Sequence, residues 1–291
     1  MCLGGIFKMI KNLKITTIMA IIVSLFIFVG CDSKYDKDYN ADQDVTIVTE
    51  MSDKELMEKV AEGQEISGDY FNFQRSNTFS AEELEDDKEY ILTSCDVNTE
   101  EYVIEKYKVS LDVRTDSSNE EMFKGYIKSK IKLDYRCIGK SYVITKTIDT
   151  NIYIKGQYVY MEHTTDDDTT KMILFESLDE NIQPKFDLGS IIREYIPNIT
   201  EKGTDKEGNI VIQNDSTITE NENGVLRLVL DSNGKLIFTS VCKGNIVINT
   251  AIDYYKKSIR FPKDLDTYIE TGHAEMTSMT VSSLMFMAMV S

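Results

Sequence analysis

The chain has 291 residues, with 32 Lys and Arg set against 49 Asp and Glu for a formal charge of −17. That balance excludes a general nucleic-acid binder, because neutralising phosphates takes an excess of Lys and Arg. A hydrophobic share of 42% and a charged share of 28% exclude a disordered acidic tail and a polytopic membrane protein, so the chain is expected to fold as one large domain.

Lys8, Lys11 and Lys14 precede a stretch without charge, residues 15–30, that ends at Cys31. This is the layout of a charged n-region and apolar h-region of an export signal. The apolar run is shorter than the roughly 20 residues a membrane span needs. Met9 opens a more conventional n-region than Met1 and is a second candidate start. Phe28-Val29-Gly30-Cys31 resembles the lipobox of bacterial lipoproteins. The resemblance implies that the Cys31 thiol becomes diacylglyceryl-modified and that a signal peptidase reads Phe28, Val29 and Gly30 and cuts before Cys31. It places the mature protein on the extracytoplasmic face of the cell membrane, where two acyl chains give stable anchoring. Residues 1–30 contain three Lys and no acid, so processing leaves the body still more acidic. An anionic surface repels such a body, and the lipid alone must hold it.

Residues 31–50 read as the lipidated Cys and an acidic, solvated tether, since 32–44 is dense in charge and lacks apolar periodicity. Asp36, Asp38 and Asn40 have the alternate spacing that starts a calcium loop. Ala41 stands where that loop needs Gly and Ile47 where it needs Glu, so calcium is rejected. Residues 51–94 read as an N-terminal helical segment. Ser52 with Glu55 is a capping box ahead of Leu56, Met57, Val60 and Ala61, with Gly63 as the stop. Ser80 with Glu83 repeats the signal ahead of acids at 85–87.

From Tyr102 onward the period changes to two. Tyr107, Val109, Leu111 and Val113 alternate with Lys106, Lys108, Ser110, Asp112 and Arg114. Ile127, Ile131, Leu133, Tyr135 and Cys137 alternate with Lys128, Lys130, Lys132, Asp134 and Arg136. These are half-buried antiparallel strands. Turn signals at 138–140, 155–157 and 231–234 mark hairpins, and further strands fit 142–149, 151–154, 158–162, 171–175, 209–213 and 245–249. One segment breaks the meander: after Asp187, Leu188, Ile191, Ile192, Tyr195 and Ile196 recur at helical spacing until Pro197. The expected fold is mainly β (α+β): a curved antiparallel sheet or half-barrel meander of nine to eleven strands. A short helix is inserted against its concave face, and one or two helices precede it.

The lipidated N-terminus, the long meander with Ile152-Tyr153-Ile154-Lys155-Gly156-Gln157-Tyr158-Val159-Tyr160-Met161, the inserted helix, the hairpin over 228–238 and Phe261-Pro262-Lys263-Asp264-Leu265 together resemble the LolA/LolB and LppX-like envelope lipoproteins and carriers. The likeness covers roughly residues 100–270, within a LolA-like domain over 95–270. It implies an open half-barrel whose apolar concave face takes lipid or lipoprotein cargo. The Lys-, Ile- and Asn-rich composition resembles that of low-GC Gram-positive lipoproteins.

No Walker loop, dinucleotide fingerprint or nucleophile elbow occurs, and His163 and His273 are the only histidines. No catalytic residue, metal site or cofactor is therefore assigned. Asp166, Asp167 and Asp168 read as a solvated hairpin tip. With Cys31 lipidated and Cys2 lying in the removed leader, Cys95, Cys137 and Cys242 remain. The parity of Cys137 and Cys242 points both inward as buried thiols, and a Cys137–Cys242 disulfide is the alternative. Residues 271–291 form a Met-rich tail with Met276, Met279, Met285, Met287 and Met289, expected to dock on the body as helix or strand.

The leading functional expectation is a non-catalytic lipoprotein that binds a lipid or other apolar ligand through Leu188, Ile191, Ile192, Tyr195 and Ile196. The alternative is an envelope protein-interaction module with a filled core. A ligand cavity at that helix would favour the first, and a closed core with an exposed apolar patch the second.

Overall fold

The computed structural model describes residues 39–98, 101–119, 122–166, 168–176, 187–195, 198–214, 217–219, 222–244 and 246–270. The lipobox residues Phe28, Val29, Gly30 and Cys31, together with Asp167, Ile196, Pro197 and the Met-rich tail, lie outside them.

Fifteen strands are described: β1 (Thr49–Glu50), β2 (Asn72–Phe79), β3 (Tyr102–Asp116), β4 (Lys124–Cys137), β5 (Ile144–Lys155), β6 (Tyr158–Thr164), β7 (Thr169–Glu176), β8 (Ile199–Thr204), β9 (Ile210–Asn214), β10 (Thr217–Thr219), β11 (Glu222–Asn223), β12 (Val225–Leu230), β13 (Leu236–Lys243), β14 (Ile246–Asp253) and β15 (Ile269–Glu270). Thirteen form one open, curved sheet in the order β1-β8-β9-β12-β13-β14-β2-β3-β4-β5-β6-β7-β15, while β10 and β11 pair separately. The expected mainly-β curved sheet is what the chain forms. Each described pairing of the large sheet is antiparallel except β15 on β7. The sheet is wider than expected. β2, inside the segment read as helical, lies at its centre between β14 and β3. The strands expected over 142–149 and 151–154 are one continuous strand, β5.

Three helices pack on the inner face: α1 (Asp53–Ile66), α2 (Lys88–Ser94) and α3 (Leu188–Tyr195). The Ser52–Glu55 capping box is formed in both directions, but the helix does not stop at Gly63. It runs one turn further because Gly63 serves packing: a Cβ there would stand 2.0 Å from the carbonyl oxygen of Gly234, in the β12–β13 turn. Gly234 itself has φ of 82°, a conformation that favours glycine. Leu56 and Val60 of α1, Ile91 and Leu92 of α2, and Leu188, Ile191 and Ile192 of α3 join the inner-face strand residues in one continuous apolar cluster.

Two extended segments brace the outer face. The N-terminal one begins at Tyr39 and corrects, for its described residues 39–44, the reading of 32–44 as a solvated tether, because Tyr39 and Ala41 are buried. Tyr39 joins Val211, Val229 and Phe238 in a second apolar cluster and donates its hydroxyl to Asp205 Oδ2 at 2.5 Å. The Ala41 amide donates to Ser240 Oγ at 2.8 Å. The fully buried Arg227 holds the strap, donating to the carbonyls of Asn40 and Gln43 and, from two of its nitrogens, to Gln213 Oε1. The second brace, 254–268, crosses β3 to β7: Arg114 donates to the Ser258 carbonyl, Tyr268 donates to Glu162 Oε1 at 2.6 Å, and Lys171 pairs with Asp264.

Candidate functional site on the inner face

Because side chains alternate across a strand, directly paired residues of neighbouring antiparallel strands share a face. On β2 to β6 the inner face is set by Phe73, Val109, Val113, Ile127, Ile131, Ile148, Ile152, Val159 and Met161, all in the main core. One transverse row interrupts it. Arg75 pairs with Leu111, Leu111 with Ser129, Ser129 with Thr150, and Thr150 with His163. Strand spacing makes this row about 19 Å long from Arg75 to His163. A paired Thr239 and Thr250 on β13 and β14 add further polar, fully buried positions to the same face.

The row is buried: Arg75 is 2%, Ser129 3% and Thr150 1% exposed. Ser129 Oγ has no hydrogen-bond partner, nor does Asn77 Oδ1, one inner-face position from Arg75 along β2. Thr150 Oγ1 and His163 Nδ1 lie 3.0 Å apart. Burial pushes the Arg75 guanidinium down to about 9 and lowers the His163 imidazole below its ordinary value. At neutral pH Arg75 is therefore charged and His163 neutral. The inner-face strand positions described from β2 to β7 carry no Asp or Glu, although the chain holds 49 acids. Asp112, Asp134, Asp149 and Glu162 stand at the opposite parity, each with an ion pair on the outer face. Chemically, the row is rich in hydrogen-bond donors on an apolar wall.

The residues expected to contact a ligand are placed differently. Leu188, Ile191 and Ile192 are buried in the core between α1 and the sheet, with Asp187 accepting from the Ser190 amide and from Gln64 on α1. Their stripe is consumed in packing. Tyr195 ends α3 and its side chain is not among those described, nor is Ile196.

Cys95, Cys137 and Cys242 are all free thiols, which corrects the Cys137–Cys242 alternative. β13 and β4 are four strand steps apart, about 19 Å along the sheet where a bridge needs Cα atoms within about 7 Å. Neither is a buried thiol, since both are only half-buried: Cys137 keeps the inner parity of Tyr135 and pairs with Tyr102, whereas Cys242 is turned outward. Between Leu236 and Phe238 the β12–β13 register shifts, so that Leu236 joins the inner cluster and Phe238 the outer one. Cys242 follows Phe238. Cys95 is the buried thiol, pushed up to about 11 by desolvation.

Among the described residues no group of three or more His, Cys, Asp or Glu could hold a metal ion, and no helix is long and apolar enough to cross a membrane. Asp166 Oδ1 accepts from the Thr147 amide at 2.9 Å, which ties the β6–β7 tip to β5. A shallow groove of about 190 Å³ lies between the strap and the β8–β9 turn, lined by Tyr39, Gln43, Val45, Asp205 and Glu207 among others. No protein-family model and no curated protein sequence matches the chain.

Proposed function

We infer that the protein is a non-catalytic lipoprotein, held by diacylglyceryl-Cys31 on the extracytoplasmic face of the cell membrane. It binds an amphiphile between the inner face of the sheet and the helices. The observation that carries the reading is the pair of buried polar atoms without partners, Ser129 Oγ and Asn77 Oδ1, among the isoleucines and valines of the inner face. An unpartnered buried polar group costs about 1–3 kcal/mol, and native cores rarely keep one without a use for it. The ligand site thus moves from α3, where the sequence reading put it, to β2–β6.

Two experiments test the reading. Radiolabelled palmitate is incorporated into the wild-type chain and not into Cys31→Ala; continued labelling of the variant removes the anchor. Residues 32–291, which retain every described element, bind the polyene fatty acid cis-parinaric acid saturably at one site; unsaturable, weak fluorescence enhancement removes the amphiphile site.

The protein-interaction alternative has one observation in its favour. Ile138, Tyr142 and Val143, at the β4–β5 tip, are each more than half exposed. Loss of a pulled-down envelope protein on substituting all three by Ser, with parinaric acid binding unchanged, would favour it.

A further inference from the structure

We propose that the outer face of β3 and β4, with the exposed bases of the 254–268 brace beside it, is a docking surface for the headgroups of an anionic lipid bilayer. The proposal rests on the lipid-anchor reading above, not on the amphiphile site, and adds a second, electrostatic contact that lays the body on the membrane.

This face differs in charge from the chain as a whole. Over 106–112 of β3 and 128–134 of β4, the outer positions hold five Lys, Lys106, Lys108, Lys128, Lys130 and Lys132, against two acids, Asp112 and Asp134. The whole chain has 32 bases to 49 acids. All five Lys are exposed. Asp112 is taken by Arg114 and Asp134 by Lys132, while Lys106, Lys108 and Lys128 have no ion pair among the described residues. Lys108 stands directly opposite Lys132, a like-charge pair that destabilises a sheet and from which folding gains nothing. The brace extends the basic character. From Tyr254 to Lys263 it contains no acid, and Lys256, Arg260 and Lys263 are exposed along it. Arg114 ties it to β3 through the Ser258 carbonyl.

The anchor leaves the body on this same side of the sheet. Asn40 of the strap accepts from Asn249 on β14 at 2.6 Å, and β14 is two strand steps, about 10 Å, from β3. Cys31 precedes Tyr39 by eight residues, which reach at most about 28 Å. An acylated Cys31 therefore keeps a bilayer close to the outer face. The repulsion expected from net charge averages over a surface that is not uniform. Charges are screened beyond about 8 Å at physiological ionic strength, and the acids of α1 stand on the opposite side of the sheet. A bilayer against β3 and β4 meets the local excess of Lys, each of which raises partitioning about fivefold.

The test uses residues 32–291, which lack an acyl chain, and reads flotation with vesicles of phosphatidylcholine alone or of phosphatidylcholine and phosphatidylglycerol in equal parts. The protein is expected to float with the anionic vesicles only, at about 0.1 M salt, and to be released at about 1 M, where the Debye length has fallen from about 10 to about 3 Å. Combining Lys108→Gln, Lys128→Gln and Lys132→Gln is expected to reduce partitioning at least about tenfold, without lowering the urea midpoint, since an opposed Lys pair is removed. Combining Lys54→Gln, Lys59→Gln and Lys206→Gln, on α1 and the β8–β9 turn, removes the same charge and is expected to leave partitioning within about twofold. Equal flotation with both vesicles, or an equal loss in the two triple variants, overturns the docking face. Binding to heparin with no flotation overturns the bilayer as its occupant and gives the face to a soluble polyanion. Each of these outcomes leaves the anchor reading standing, because palmitate labelling tests it separately.

Discussion

Gly63→Ala separates local propensity from packing. In an exposed helix interior Ala is better than Gly by about 1 kcal/mol, so propensity alone expects stabilisation. In this helix the new Cβ would lie 2.0 Å from the Gly234 carbonyl oxygen and 2.6 Å from the Lys235 amide nitrogen, where ordinary contact begins at 3.4 Å. Both atoms are backbone, so neither can swing aside, and α1 must retreat by about 1.4 Å. That retreat loosens Leu56 and Val60, each 0% exposed. Overpacking costs about 1–3 kcal/mol; with backbone atoms on the far side the cost falls at the upper end, and the helix gain of about 1 kcal/mol leaves a net loss of about 2 kcal/mol. Urea unfolding followed by circular dichroism should show the midpoint lowered by roughly 1 M at unchanged slope. Gly139→Ala, at a turn with φ of 83° and nothing within 4 Å of the new Cβ, carries backbone strain without a clash and should cost about 1 kcal/mol. A raised midpoint for Gly63→Ala would refute the close approach of α1 to the β12–β13 turn.

Arg227→Leu strips two strap carbonyls of their donor and should cost about 2–3 kcal/mol, with new proteolytic cleavage and faster amide exchange confined first to residues 39–47; unchanged protection would mean that Arg227 does not hold the strap. Titration with a thiol reagent should count three free thiols in denaturant, with and without reductant, and in the native protein Cys95 should react last because it is buried and its thiol is pushed up to about 11; a count of one without reductant would restore a disulfide. Burial lowers the His163 value, so the unfolded chain takes up the proton first. The stability His163 contributes is complete above its ordinary value of about 6.5 and is lost as the pH falls below it. The gap between wild type and His163→Gln in urea midpoint should therefore shrink from about pH 7.5 to about pH 5; a gap that grows on acidification would contradict a His163 held neutral.

Much of the sheet was legible because most of its core-facing positions alternate strictly with charged ones, as on β3 and β4. The strands that were missed share a physical cause with the site. β2 escaped notice because two of its four inner positions are Arg75 and Asn77, which break the apolar alternation. Thr150 interrupts the apolar alternation within β5, and Ser129 does the same within β4 between Ile127 and Ile131. A polar residue at core parity, flanked on both sides by isoleucine, was the signal available in the sequence. The N-terminal strap was hidden for a different reason: an acidic composition reads as solvated, and what docks it is a non-local partner, Arg227, nearly two hundred positions away. The stripe of α3 was legible as apolar, yet periodicity cannot tell a core helix from a ligand wall. The parity argument for Cys242 failed at a single register shift, since one extra residue reverses every side chain beyond it.

The claim on which the functional account turns is that the inner face holds an amphiphile. Residues 32–291, purified from the native host and examined by native mass spectrometry with organic extraction, should carry a co-purifying amphiphile at one per chain, and Ser129→Ala with Thr150→Val should retain less of it. A wild-type chain that is ligand-free, and that leaves nothing in the organic extract, would contradict that claim.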